Sequence, residues 1–81
     1  PTKELNDFLE DTVKKQPPAA ARGKYIKMFY ATQTGTKPPT FLFFCNYPAL
    51  LQRNYLRYME GQFRDVFDFE GTPIRMKFRK R

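Results

Sequence analysis

The sequence predicts a two-layer α+β domain running helix, strand, strand, helix, strand, and three observations lead to that class. Between Gln52 and Phe67 the large apolar residues Tyr55, Tyr58, Met59, Phe63, Val66 and Phe67 recur at the three-and-four spacing of one helical side. Ile74, Met76 and Phe78 alternate with Arg75, Lys77 and Arg79, the period of a strand with one apolar and one cationic face. Between these segments, Phe69-Glu70-Gly71-Thr72-Pro73 joins a glycine that tolerates positive φ to a proline that cannot continue a helix, so the chain reverses there.

The remaining elements follow in chain order. Thr2 stands as an N-cap and Glu4 lies near the positive end of the helix dipole. Leu5, Phe8, Leu9 and Val13 form an apolar stripe, with Asp7, Glu10, Asp11, Lys14 and Lys15 off it, acids early and bases late. Pro17 and Pro18 end this helix by Gln16, and residues 19–23 connect it onward. Residues 24–32 predict a strand with Ile26, Met28 and Tyr30 on one face and Tyr25, Lys27, Phe29 and Ala31 on the other. Residues 33–39, with Gly35 and Pro38-Pro39, predict a wide hairpin connection. Residues 40–46 predict a second strand, apolar on both faces, which argues for an interior place in the sheet or for a face covered by another domain. Pro48 opens a helical turn through Leu51 that merges into the long helix, whose far side carries Arg53, Arg57, Glu60 and Arg64 as a mostly positive stripe. A hairpin followed by a helical crossover gives a three-stranded sheet with helices on one face. Which strand is central stays open.

Eighty-one residues make one domain, 1–81, short of surface to bury but rich in aromatic volume, with nine Phe and five Tyr. Cys45 is the single cysteine and histidine is absent, so an internal disulfide, a Cys/His zinc cluster and a nucleophilic triad are all excluded, and no metal or catalytic site is expected. Cys45 reads as a small buried hydrophobe. Asp65, Asp68 and Glu70 read as solvated helix-end and turn residues, and the Tyr55, Tyr58 and Phe63 stripe as core packing. The lone cysteine, the lack of a membrane-length apolar run and the lack of a signal peptide lead to the expectation of a soluble, monomeric, cytoplasmic chain without membrane contact. Pro1, with no methionine before it, points to a piece of something longer.

Charge is unevenly placed. The net charge is +7, but residues 1–15 hold −1 and the rest therefore +8, with five cations in the last seven residues. That density favours a polyanion such as nucleic acid. Two positive surfaces are candidates for RNA. One is the outer face of the last strand and its tail, Arg75, Lys77, Arg79, Lys80 and Arg81, with Lys24 or Lys27 nearby; the other is the helix stripe of Arg53, Arg57 and Arg64. A rival reading takes Tyr25, Phe29 and Phe41 or Phe44 as an apolar patch on the sheet's second face that meets a protein.

Four blocks then carry a family resemblance: Tyr30-Ala31-Thr32-Gln33, Lys37-Pro38-Pro39-Thr40-Phe41, Tyr55-Leu56-Arg57-Tyr58-Met59-Glu60 and Phe69-Glu70-Gly71-Thr72-Pro73-Ile74-Arg75. In this order they resemble the C-terminal KH-like domain of the tandem GTPases called Der or EngA, and the resemblance covers nearly all of the chain. It implies a type II KH-like fold and a bacterial parent with two upstream G domains, acting in assembly of the large ribosomal subunit with GTP and Mg as the parent's cofactors. The module itself would perform no chemistry and hold no cofactor. It would contact ribosomal RNA and dock on the G domains, where nucleotide state would change which surfaces are free; the apolar patch is then the docking face. The alternative is a purely intramolecular, regulatory module with no direct RNA contact. No GxxxxGK[ST] is present in the 81 residues, so they hold no P-loop. Ordinary KH domains clamp a single strand with a GXXG loop, whereas the corresponding junction reads Leu51-Gln52-Arg53-Asn54, as the Der-type module also lacks the glycines. Tyr47 stands where the family commonly places a capping aspartate, so Asn46 or water is expected to satisfy the first amides of the following turn.

Overall fold

In the computed structural model, which describes residues 2–69 and 71–81, helix α1 (Thr2–Lys15) leads to strands β1 (Met28–Thr36) and β2 (Pro39–Cys45). A short 3-10 turn (Pro48–Leu50), helix α2 (Arg53–Val66) and strand β3 (Arg75–Lys80) complete the chain. The sheet order is β1-β2-β3, with β1 antiparallel and β3 parallel to β2. The strand apolar on both faces is therefore the central one. It is flanked by the hairpin partner on one side and, through the α2 crossover, by β3 on the other.

Both helices cover one face. Leu5, Phe8 and Leu9 from α1 and Tyr55, Met59 and Phe63 from α2 close over Ala31, Phe41 and Phe43, and Ile74, Met76 and Phe78 pack against the same cluster as their alternation requires. Phe63 is the hub. Its ring lies 4.7 Å from Phe41, 5.4 Å edge-on from Phe8 and 5.7 Å from Phe69. Aromatic contacts of this kind each add about 0.5–1.5 kcal/mol beyond the area they bury. The helices are also joined by polar groups, because the Tyr55 hydroxyl donates to the Gln16 carbonyl at 2.7 Å and the Tyr58 hydroxyl to the Thr12 carbonyl at 2.8 Å. Gln16 follows the last residue of α1, and the Thr12 carbonyl, in the last turn, also accepts the Gln16 N–H at 3.2 Å, so the two tyrosines bind the end of α1 onto α2.

Asn6 joins α1 to the sheet. Its Nδ2 donates to the Ala31 carbonyl at 2.9 Å and its Oδ1 accepts from the Ala31 N–H at 2.8 Å, so the outer edge of β1 is paired at that point.

Several expectations are corrected. The first strand starts at Met28 rather than at residue 24, because residues 21–24 form a tight turn with Arg22 and Gly23 at φ 52° and 72°. Residues 25–27 then run alongside Asn46, which takes the Lys27 N–H at 2.9 Å and gives its Nδ2 to the Tyr25 carbonyl at 3.0 Å. Asn46 is thus committed to the sheet margin and does not cap the Pro48 turn, which has no side-chain cap. Leu51 and Gln52 are extended, so that turn stays separate from α2. The hairpin is tight rather than wide, with only Lys37 and Pro38 between strands, since residues 33–36 pair with residues 39–41. Thr2 lies in the helix rather than outside it as a cap. Val66 is 61% exposed: the 55, 59, 63 and 67 positions face the core, and Val66 lies a quarter-turn off that line. The chain reversal holds, with Gly71 at φ 73° and the Thr72 N–H donating to the Phe69 carbonyl at 2.9 Å; Glu70 lies outside the described residues.

Candidate nucleic-acid interface

The face of the sheet away from the helices is assembled by strand register. Parallel pairing sets Arg75 beside Thr40, Lys77 beside Leu42 and Arg79 beside Phe44. Antiparallel pairing sets Thr32 beside Leu42 and Tyr30 beside Phe44. Paired residues share a face, so one column of cations on β3 adjoins Leu42 and Phe44 on β2, and then Tyr30 on β1. The rings of Tyr30 and Phe44 stack at 4.6 Å and 25°. Arg81 belongs to the same side. Its N–H donates to the Cys45 carbonyl at 3.1 Å, and its guanidinium carbon lies 5.5 Å from the Phe29 ring centre and 5.8 Å from that of Tyr30. These are cation–π distances.

Among the described residues, none of β1, β2 and β3 contains an aspartate or glutamate. The acids stand on α1, on α2 and in residues 68–70, so the cations of the sheet face are not neutralised by neighbours on their own strands.

The register shift between Met28 and Tyr30 explains where Phe29 goes. One extra residue in β1 inverts the alternation, so Met28 and Ala31 both reach the helix side while Tyr30, paired with Phe44, faces away from it, 40% exposed; Phe29, 41% exposed, stands at the margin of β1, within reach of Arg81 and beside a hollow that Asn6 and Glu10 of α1 also line. Tyr30 was missed as a site residue for this reason, since a regular strand would have placed it with Met28. The adjacent aromatic pair Phe29-Tyr30 is the trace the bulge leaves in the sequence.

Not every expected residue lies on this face. Phe41 is a correction: it is 5% exposed, on the helix side against Phe63, because it pairs with Met76 on the core-facing register. Phe44 takes the place that was left open between the two. Lys80 pairs with Cys45 and so points to the opposite side from Arg79; it lines a hollow with Arg22, Lys24 and Tyr47, where the Lys24 ammonium lies 5.5 Å from the Tyr47 ring. Lys24 therefore adjoins Lys80 rather than the row of Arg75, Lys77 and Arg79, and Lys27 is exposed beside Asn46. Tyr25 is 83% exposed, ahead of β1 rather than in it. Arg53 and Arg57 are exposed on α2, in the layer that covers the other face of the sheet. Arg64 is occupied: it bonds Glu60 and the carbonyls of Phe69 and Thr72, each at 3.3 Å, and ties the end of α2 to the chain reversal.

Cys45 is fully buried, and burial pushes its thiol pKa up, away from the thiolate that nucleophilic chemistry needs. Among the described residues there is no group of three or more His, Cys, Asp or Glu placed to hold a metal, and no helix long and apolar enough to cross a membrane.

Comparison with known proteins agrees with this architecture. The family model described as the KH-domain-like region of EngA bacterial GTPase enzymes, C-terminal, matches residues 1–79. The chain belongs to this family. Among its KH-like relatives, proteins named GTPase Der are 46% identical in Thermomicrobium roseum, 47% in Cytophaga hutchinsonii and 48% in Brevibacillus brevis, each over all 81 residues. The chain spans 18–19% of the length of these relatives. Within the KH-like fold, the junction between the 3-10 turn and α2, residues 51–54, contains no glycine, so the backbone approach to phosphate that a GXXG loop allows is not available there.

Proposed function

We propose that this chain is the non-catalytic KH-like module of a cytoplasmic bacterial GTPase whose two upstream G domains hold GTP and Mg, and that it helps the parent engage ribosomal RNA during assembly of the large subunit. The relatives' printed name, GTPase Der, supports the parent's activity. The RNA role rests on one observation: Arg75, Lys77, Arg79 and Arg81 lie on a single sheet face whose strands carry no acid. Phosphate contacts by such a row release counterions, so affinity falls steeply with salt and little base sequence is read.

Docking on a G domain is the second reading, and the stacked Tyr30 and Phe44 with exposed Phe29 favour it. Grease and cations were expected on separate surfaces, but here they share one. A G domain and an RNA strand seated on this face exclude one another, which gives nucleotide state a means of controlling RNA access.

The test is a salt series of RNA binding with Arg75, Lys77, Arg79 and Arg81 changed together to alanine. Each lost phosphate contact lowers the log–log salt slope by about 0.7 on a single strand or about 0.9 on a duplex, so loss of all four gives a change of roughly 3. An unchanged slope and affinity would remove RNA from this face.

A further inference from the structure

We propose that Phe29 and Tyr30 form a stacking slot for one unpaired base of a single-stranded RNA, and that Arg81 fills the slot until the base displaces it. The inference rests on the reading that this sheet face meets RNA, and it adds what part of the RNA is bound besides phosphate.

Adjacent residues in a regular strand point to opposite faces, and two neighbouring rings cannot then serve one ligand. The extra residue between Met28 and Tyr30 removes that restriction, and both rings reach the same guanidinium, at 5.5 and 5.8 Å. A guanidinium is a planar cation. The position it takes against two aromatic rings is one that a planar base can take in its place, because stacking uses the π-face that every base presents.

The rings are available and held. Phe29 and Tyr30 are 41% and 40% exposed and neither belongs to the core cluster, so although one face of Tyr30 is taken by Phe44, both rings keep surface open to a ligand. Tyr30 is stacked on Phe44, which sits in the central strand, so its orientation is fixed before any ligand arrives. Arg79 stands beside Phe44 on β3, two strand spacings and so about 10 Å from β1. A single strand crossing the sheet thus finds cations for its backbone on one side and rings for a base on the other. Arg81, once displaced, joins the cations. A duplex keeps its bases stacked inside and offers the slot nothing, so the slot discriminates for unpaired RNA without reading sequence.

The experiment measures binding of the chain, by fluorescence anisotropy at about 100 mM salt, to a short labelled single strand, to a blunt-ended two-stranded duplex and to an abasic single strand. Tyr30→Leu and Phe29→Leu keep apolar bulk and remove the rings, while Tyr30→Phe keeps the π-face. The leucine variants are expected to weaken single-strand binding about tenfold, with duplex affinity and the salt slope unchanged and Tyr30→Phe like the parent. The unaltered chain should bind the abasic strand about tenfold more weakly too, a result independent of any effect of substitution on folding. If the abasic strand binds as tightly as the ordinary one while the alanine changes at Arg75, Lys77, Arg79 and Arg81 still weaken it, the slot is wrong and the phosphate reading stands. If those alanine changes also leave RNA binding unaltered, both fail, and a protein is left as the occupant of the face.

Discussion

The Tyr55 ring fills the space between α1 and α2 while its hydroxyl donates to the carbonyl of Gln16, a polar end in an apolar wall. Burial, and secondarily the neighbouring Tyr58, pushes its pKa from 10.0 up to about 12. The unfolded chain therefore loses this proton at a lower pH than the folded one, and stability falls as pH rises from about 10 to about 12. Tyr55→Phe cannot ionise, so denaturant midpoints recorded across that window should fall less steeply for the variant than for the parent, after a loss at neutral pH of about 1 kcal/mol for the missing hydrogen bond. Parallel slopes would show that Tyr55 does not carry the alkaline sensitivity. The tyrosine spacing alone marks the ring as core. The hydroxyl's partner is a carbonyl 39 residues away, and no local pattern in the sequence announces it.

At the scale of elements, β1 is where the expectation and the structure part. The apolar stripes of α1 and α2, the order of elements and the alternation of β3 are all readable, because each is set by contacts with one core. A bulge is different: a single extra residue reverses which side chains face the helices, and Ile26-Met28-Tyr30 reads as clean alternation when the register shift is not known. The hairpin was misjudged for a related reason, since Gly35 and two prolines signal a loop while pairing with residues 39–41 carries β1 through to Thr36. The edge of β1 also depends on a residue that its own segment does not contain. Asn6 satisfies both backbone groups of Ala31. Asn6→Ala should cost about 1–3 kcal/mol by leaving them without a partner, and the Ala31 amide should lose hydrogen-exchange protection more than the amides of β2. Equal loss across the sheet would indicate global destabilisation and no particular role for the amide at the edge.

Across the whole molecule, charge is sorted by layer. All acids stand on the helices or in residues 68–70, while the open sheet face presents Arg75, Lys77, Arg79 and Arg81 beside stacked rings. The excess of positive charge beyond residue 15 was visible in the sequence, but the register that places Lys80 apart from Arg79, occupies Arg64 in a tertiary contact and sends Phe41 into the core was not. On the proposed function, this face, rather than the helix stripe or the glycine-free junction, meets RNA. An amide chemical-shift titration of the chain with a single-stranded ribosomal RNA fragment tests it most directly. The largest changes should fall on Tyr30, Phe44, Lys77, Arg79 and Arg81; changes confined to Arg53, Arg57 and residues 51–54, with the sheet face silent, would contradict it.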